Sequence, residues 1–441
     1  MRDIALTAFI LGCLPVFFLR PWTGILGWYW LGLMNPHRLS WGFAFGMPFA
    51  LLIGAATLAG LFVTKEKKPI PWNAELVCLL LLSFGYTLSS FLAWVPDSAW
   101  PEWERTMKII LMAFVTTKLI FGRERIRYLL IVIGLSIGFY GFKGGVFSFR
   151  GGGVDHVWGP PGSFIEDNNF LGLAMVMVVP ILIFLAREEQ KKWLRRLFYL
   201  TAFLSGVASI FTYSRGALLG LVVVFSLTFF RSNKKFLVIL LAIPLAIYGK
   251  ELLPKQLTSR YETIQTYKKD DSAMERIQAW GVGWNVALEN PLTGGGFEFN
   301  ADQARWLSHS DPKYFAMGPK FNVSREAHSA YFQTAGQHGF VALGVFLAML
   351  MFTLIRLQKM RRHALKYPEH AWIGNYAAAI QIGLFGYIVS GAFINVANFD
   401  LMYAYVVITA ILDREFRQLS LPAREFGQVR FQKGAKAAGT V

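Results

Sequence analysis

Residues 168–186, NNFLGLAMVMVVPILIFLA, contain no charged side chain. A helix rises 1.5 Å per residue, so this run reaches roughly 29 Å, about the hydrocarbon thickness of a bilayer. Further apolar runs lie at 43–63, 74–94, 105–121, 127–146, 197–212, 215–230, 236–250, 331–355, 374–394 and 400–412. The first 34 residues add one or two more, since Pro15 and Pro21 leave this opening either one kinked span or a pair. It lacks a clear small-x-small cleavage site, so residues 1–20 are read as a retained span, not a leader. The fold expected is an all-α integral membrane protein, a polytopic bundle of about 12 transmembrane helices.

The composition agrees. Of 441 residues, 54% are apolar and 16% charged, and the mean hydropathy is +0.42. Soluble domains carry roughly 25% charged residues, so a disordered chain and a soluble enzyme both fit poorly. The formal charge is +17. In a soluble chain it would suggest nucleic acid, but here 26 of the 44 Lys and Arg residues fall in alternate loops: 65–68, 118–127, 187–196, 231–235, 356–366 and the tail after 413. Basic loops mark the cytoplasmic side and face anionic lipid, so nucleic acid is not expected as a partner.

The opposite side receives 35–42, 95–104, 147–167, 251–330 and 395–399. Segment 251–330 is the longest and nearly neutral, with nine basic and ten acidic residues. The division expected is 1–250 as N-terminal membrane helices, 251–330 as a long periplasmic loop containing helices and catalytic elements, 331–412 as C-terminal membrane helices, and 413–441 as a cytoplasmic tail of disordered composition. Two architectures fit such a chain: a transporter with a midplane site, or a membrane enzyme whose chemistry sits where the long loop meets the helices. Cys13 and Cys78 are too few for a thiolate metal site, and no histidine pair is spaced to complete one. Neither a Gly-x-Ser-x-Gly nor a His-Glu-x-x-His sequence occurs. No metal or cofactor is expected.

Three stretches carry candidate chemistry. Arg215, in Thr212-Tyr213-Ser214-Arg215-Gly216, lies between two apolar runs on the outer side. It is either an interfacial arginine reaching lipid phosphate or a fork kept there for an anionic substrate. Arg276 and Trp280 are four apart on an amphipathic run, Met274–Leu288, which ends at Pro291 and Gly294-Gly295-Gly296. The glycine run would let backbone N–H groups approach an anion, although no Gly-Lys-Ser/Thr follows it. His328 stands in Arg325-Glu326-Ala327-His328-Ser329-Ala330-Tyr331, where the long loop ends and a membrane helix begins. The partial positive charge of a helix N-terminus disfavours imidazolium, and a neutral imidazole can act as a general base. Arg325, Trp280 and Tyr331 are supporting candidates. His338 lies ten residues on, about 15 Å along a continuous helix, too far to act on the same atom. Asp270-Asp271 reads as a solvated surface pair.

Together these stretches resemble the O-antigen ligase/polymerase superfamily of bacterial envelope glycosyltransferases, over roughly 160–412. The carrying residues are Ser214-Arg215-Gly216, Arg276 with Trp280 and Pro291–Gly296, and His328-Ser329 followed after nine residues by Gly339. One departure is Ala342, where such motifs often place a second glycine. The resemblance implies an O-antigen ligase at the Gram-negative inner membrane. It implies a metal-independent, inverting, GT-C-type transfer from an undecaprenyl-diphosphate-linked glycan donor to a lipid A-core acceptor at the periplasmic face. His328 would be the base, and Arg215 and Arg276 would hold the diphosphate. A polymerase and a protein O-oligosaccharyltransferase would use the same donor; a glycan-lipid transporter is the non-enzymatic alternative.

Overall fold

The computed structural model describes residues 1–152, 154–231 and 271–420. The run at 236–250, loop residues 251–270 (Asp270 included) and tail residues 421–441 lie outside these. All regular structure among the described residues is helical. In chain order the helices are α1 (Arg2–Leu19), α2 (Pro21–Met34), α3 (Phe49–Val63), α4 (Ala74–Phe91), α5 (Pro96–Leu119), α6 (Gly122–Arg150), α7 (Asn168–Glu188), α8 (Lys192–Ile210), α9 (Arg215–Phe230), α10 (Asp271–Glu289), α11 (Gln303–Ser308), α12 (Ala330–Ala364), α13 (Ala371–Ser390) and α14 (Asp400–Ser420).

Pro21 opens α2 at its first position, where a missing N–H costs nothing, so the opening segment is a pair of helices. Six described helices have the length and hydropathy of a membrane crossing: α1, α4, α6, α7, α12 and Pro368–Ser390, which contains α13. Helices α3 and α9 are apolar but only 15 and 16 residues long. Of the twelve or so crossings expected, six therefore meet both criteria. The last helix runs past residue 412 to Ser420, because Asp413 pairs with Arg356 at 2.9 Å and Arg414 donates to the Thr117 and Ile120 carbonyls at 2.6 and 2.7 Å.

The helix run quoted first, α7, is buried over most of its length. A helix apolar on every face belongs in the middle of a bundle, and α7 packs against α6, α8, α9 and α13. Small residues bring its neighbours close: a Cβ at Gly145 of α6 would lie 2.7 Å from the Leu204 carbonyl oxygen of α8.

The basic loops meet at one end of the bundle. The Lys68 amide donates to the Lys118 carbonyl at 2.9 Å, Arg125 pairs with Glu66 at 2.6 Å, Arg127 with Glu189, and Asn375 donates to Glu188 at 3.0 Å. The nearly neutral segments meet at the other end. The Asn168 amide donates to the Thr212 carbonyl at 2.6 Å, the Trp94 N–H to Gly295 at 2.9 Å and the Ala330 N–H to Gly391 at 2.7 Å. The charge asymmetry read along the chain is thus an asymmetry in space.

Candidate active site

Helix α10 lies at the neutral end. Its buried face is Gln278, Ala279, Val282, Gly283, Val286 and Ala287. Ser272, Glu275 and Arg276, spaced three and four apart, continue that face into the first turns of the helix. That face and the segment leading into α12 enclose a cavity of about 270 Å3 lined by Ser272, Glu275, Arg276, Arg325, Glu326 and His328. Arg276, Arg325 and His328, more than fifty residues apart at the extremes, are thereby brought to one space.

The walls are held by hydrogen bonds. Arg325 Nη1 meets Glu275 Oε2 at 3.0 Å, and its Nη2 donates to the Lys320 carbonyl at 2.8 Å. Trp280 stacks on Phe332 with ring centres 5.1 Å apart and donates from Nε1 to the Ala327 carbonyl at 2.7 Å. It therefore fixes the residue immediately before His328. His328 has φ 45°, a left-handed conformation costing a non-glycine residue about 1–3 kcal/mol. The Ala330 amide bond to Gly391 clamps the other side. His328 lines the cavity and is exposed to solvent. Burial, then the nearby Arg276 guanidinium, holds its pKa below the ordinary 6.5, against the opposing field of Asp167. His328 is therefore neutral at pH 7.

Carboxyl groups from distant parts of the chain face the same region. Burial, then the charges of Asp167 and Glu102, raises the Glu326 pKa; its Oε2 accepts from Asn395 at 3.0 Å. Glu298, also left-handed at φ 51°, is pushed up to about 7 by burial and then by Glu326 and Glu102. Guanidinium and carboxyl groups thus share the site, Arg325 and Glu275 in direct contact.

Arg215 is the first residue of α9, behind the Ser214 cap whose Oγ accepts from the Ala217 amide at 3.2 Å. Its turn adjoins the site rather than lining the cavity. Ser390 Oγ donates to the Gly216 carbonyl at 2.9 Å, and the turn after Ser390 places Phe393 6.5 Å from Trp280. Tyr331 is farther removed: its hydroxyl donates to the Ile388 carbonyl at 2.6 Å, joining α12 to α13. His338 is fully buried. Its Nδ1 lies 2.7 Å from Ser89 Oγ, and its ring packs between Tyr86 and Phe297. Asp271 is a surface residue paired with Lys320 at 2.9 Å.

The glycine run has a different role from the anion cradle its composition allows. The Gly294, Gly295 and Gly296 amides donate to the carbonyls of Asn290, Gly336 and Gln337 at 2.8, 2.8 and 2.9 Å. A Cβ at Gly294 would lie 2.4 Å from the Gly336 carbonyl oxygen, and one at Gly296 the same distance from Ala93 Cβ. The run is a close-packed plug seating the outer segment on α12 and the end of α4. On the other side, Gly339, with φ 80° and ψ 176°, breaks α12. Ser272, Glu275 and Glu326 were absent from the sequence candidates. Each acid is the immediate neighbour of a candidate arginine, the one local signal that marks them.

The family model for O-antigen ligase matches residues 200–347. This segment belongs to the O-antigen ligase family. The O-antigen ligase match contains Arg215, Arg276 and His328 and ends just past Gly339, so it covers every residue placed in or beside the cavity except Asp167, Glu102 and the 390–395 turn. Residues 1–190 match a family of unknown function, DUF5935. No curated protein matches the chain. The match supports a glycosyltransferase role of the ligase/polymerase kind, and the apolar helices among the described residues fit a multi-pass membrane protein.

Proposed function

We propose that the chain is an O-antigen ligase of the Gram-negative inner membrane, with the cavity end facing the periplasm. It transfers a glycan from undecaprenyl diphosphate to a hydroxyl of the lipid A core. The observation that carries this is the convergence of Arg276, Arg325 and His328 on one cavity at the end opposite the basic loops. A diphosphate leaving group gathers negative charge as its bond breaks, and Arg276, with Arg215 at the adjoining turn, supplies cationic forks for it. The acceptor oxygen attacks the anomeric carbon, the carbon–oxygen bond to phosphate breaks, and the electron pair leaves with the diphosphate. Neutral His328 takes the hydroxyl proton. A single displacement inverts the anomeric centre. The carboxyls of Glu326 and Glu298 are placed to accept hydrogen bonds from sugar hydroxyls.

The acceptor is tested directly. Purified protein is given an undecaprenyl-diphosphate-linked glycan and, separately, lipid A core, a second donor molecule, or a Ser/Thr peptide. Glycan on the lipid A core is the expected product. Chain extension on the carrier would make the protein a polymerase, and glycopeptide a protein O-oligosaccharyltransferase. Movement of intact donor across a vesicle membrane without any product would make it a transporter.

A further inference from the structure

At the basic end a second cavity, of about 680 Å3, lies between α9, α12 and α13. Leu227, Leu354 and Phe385 form an apolar wall, and Arg231, Lys359 and Arg362 form the polar rim. The positive charge here is held without a carboxylate among the described residues. Arg231 Nη2 and Arg361 Nη1 both donate to Gln381 Oε1, at 2.9 and 2.6 Å, so one neutral carboxamide holds two guanidinium groups together. Among the described residues, Arg231 Nη1 is buried without a hydrogen-bond partner. Among the described residues no carboxylate lines this cavity, and the nearby acids are engaged elsewhere: Glu75 and Asp413 with Arg356, and Glu188 with Asn375.

Convergent guanidinium groups recognise phosphate through paired N–H donors. The wall separates a lipid from a free anion. Ile355, at the cavity edge, is 57% exposed and continues the apolar strip along which an acyl chain would lie. Basic pockets between membrane helices on the cytoplasmic side bind anionic headgroups. We propose that this cavity holds one anionic phospholipid of the inner leaflet, its phosphate on Arg231, Lys359 and Arg362 and an acyl chain along Leu227, Leu354 and Phe385. The lipid joins α9 to the α12–α13 pair. This inference rests on the bundle spanning the membrane and is independent of the transfer chemistry.

Lys359 and Arg362 are exposed, so the K359Q/R362Q double variant leaves the packed core untouched. The full-length protein, delipidated in detergent, is equilibrated with phosphatidylglycerol or phosphatidylcholine, and retained lipid is counted by native mass spectrometry. The parent should retain one phosphatidylglycerol and bind phosphatidylcholine much more weakly. K359Q/R362Q should lose phosphatidylglycerol affinity roughly tenfold or more, given the strength of basic residues toward anionic lipid. A control, K192Q/R195Q/R196Q, removes exposed charges from the same end and should retain it. Equal retention by parent and K359Q/R362Q overturns the site. So does equal binding of the two lipids, failure of the parent to hold either, or displacement of phosphatidylglycerol by millimolar inorganic phosphate.

Discussion

Two clusters, one at each end of the bundle, use the same side chains to opposite purpose. At the basic end, Arg356 lies between Glu75 and Asp413 at 2.5 and 2.9 Å. Asp413 also meets Arg417 at 2.8 Å, and the Arg414 guanidinium is wrapped in backbone carbonyls. Each of these charges is answered by a fixed partner on another helix or the next turn, so the group acts as a clasp between α4, α12 and α14. At the neutral end Arg325 pairs with Glu275 at 3.0 Å, and these two, with Arg276, Glu326 and His328, line a 270 Å3 space. Buried charge that faces charge holds helices in place, whereas charge that faces a cavity is available to a ligand.

The sharpest way to break this comparison is to remove the clasp. Arg356→Ala leaves Glu75 buried without its cation, and breaking such a group costs about 3–5 kcal/mol. The variant should melt far below the parent in detergent, while the fraction that stays folded should transfer glycan normally. Replacing the whole set, as E75Q/R356M/D413N, should restore most of the stability. Loss of specific activity in that folded set would place catalytic work at the wrong end.

The converse change is Arg276→Lys, which keeps the charge and removes the fork. Transfer should fall about 10²–10³-fold, as when one donor to a developing anion is lost, with the melting temperature unchanged. Near-normal transfer would reduce Arg276 to a surface cation. Trp280→Phe is milder. It keeps the ring against Phe332 but drops the bond to the Ala327 carbonyl, worth about 0.5–1.5 kcal/mol. Maximal rate should drop several-fold through looser placement of His328, with KM for the donor little changed.

The smallest effect concerns Glu298. Its folded pKa of about 7 lies above the ordinary 4.5, so the folded state keeps a proton that the unfolded chain releases. The parent should therefore lose stability as pH rises from 4.5 to about 7, with no further loss from this group above that range. Glu298→Gln should flatten that slope, measured as melting temperature against pH. An unchanged slope would remove Glu298 from the cluster.

Much of this was legible along the chain, for identifiable reasons. Apolar runs such as 168–186 declare helices because length and hydropathy are local properties. The amphipathic spacing around Arg276 and the loop-to-helix position of His328 are local too. What could not be read is whatever depends on distant parts meeting. Nothing near Glu326 signals that Asp167 and Glu102 share its surroundings, and nothing near Trp280 signals that its indole holds the Ala327 carbonyl. The Gly294–Gly296 run was open to two meanings, anion cradle or close packing, and only its proximity to Gly336 and Ala93 decides between them. Six helices among the described residues meet length and hydropathy together; a run such as Phe49–Val63 is apolar enough but short, and the run at 236–250 lies outside the described residues.

The central claim is that His328 is a neutral proton acceptor beside a separately held diphosphate. It is tested most directly with His328→Ala, by measuring donor binding and single-turnover transfer on the same purified protein. Donor affinity should stay within about twofold of the parent and transfer should fall about 10²–10⁴-fold, the usual worth of general-base help. In the parent, the acid limb of the rate should lie below pH 6.5, the ordinary imidazole value, because burial and Arg276 depress the His328 pKa. Transfer at the parental rate, or loss of donor binding in place of loss of chemistry, would contradict the account.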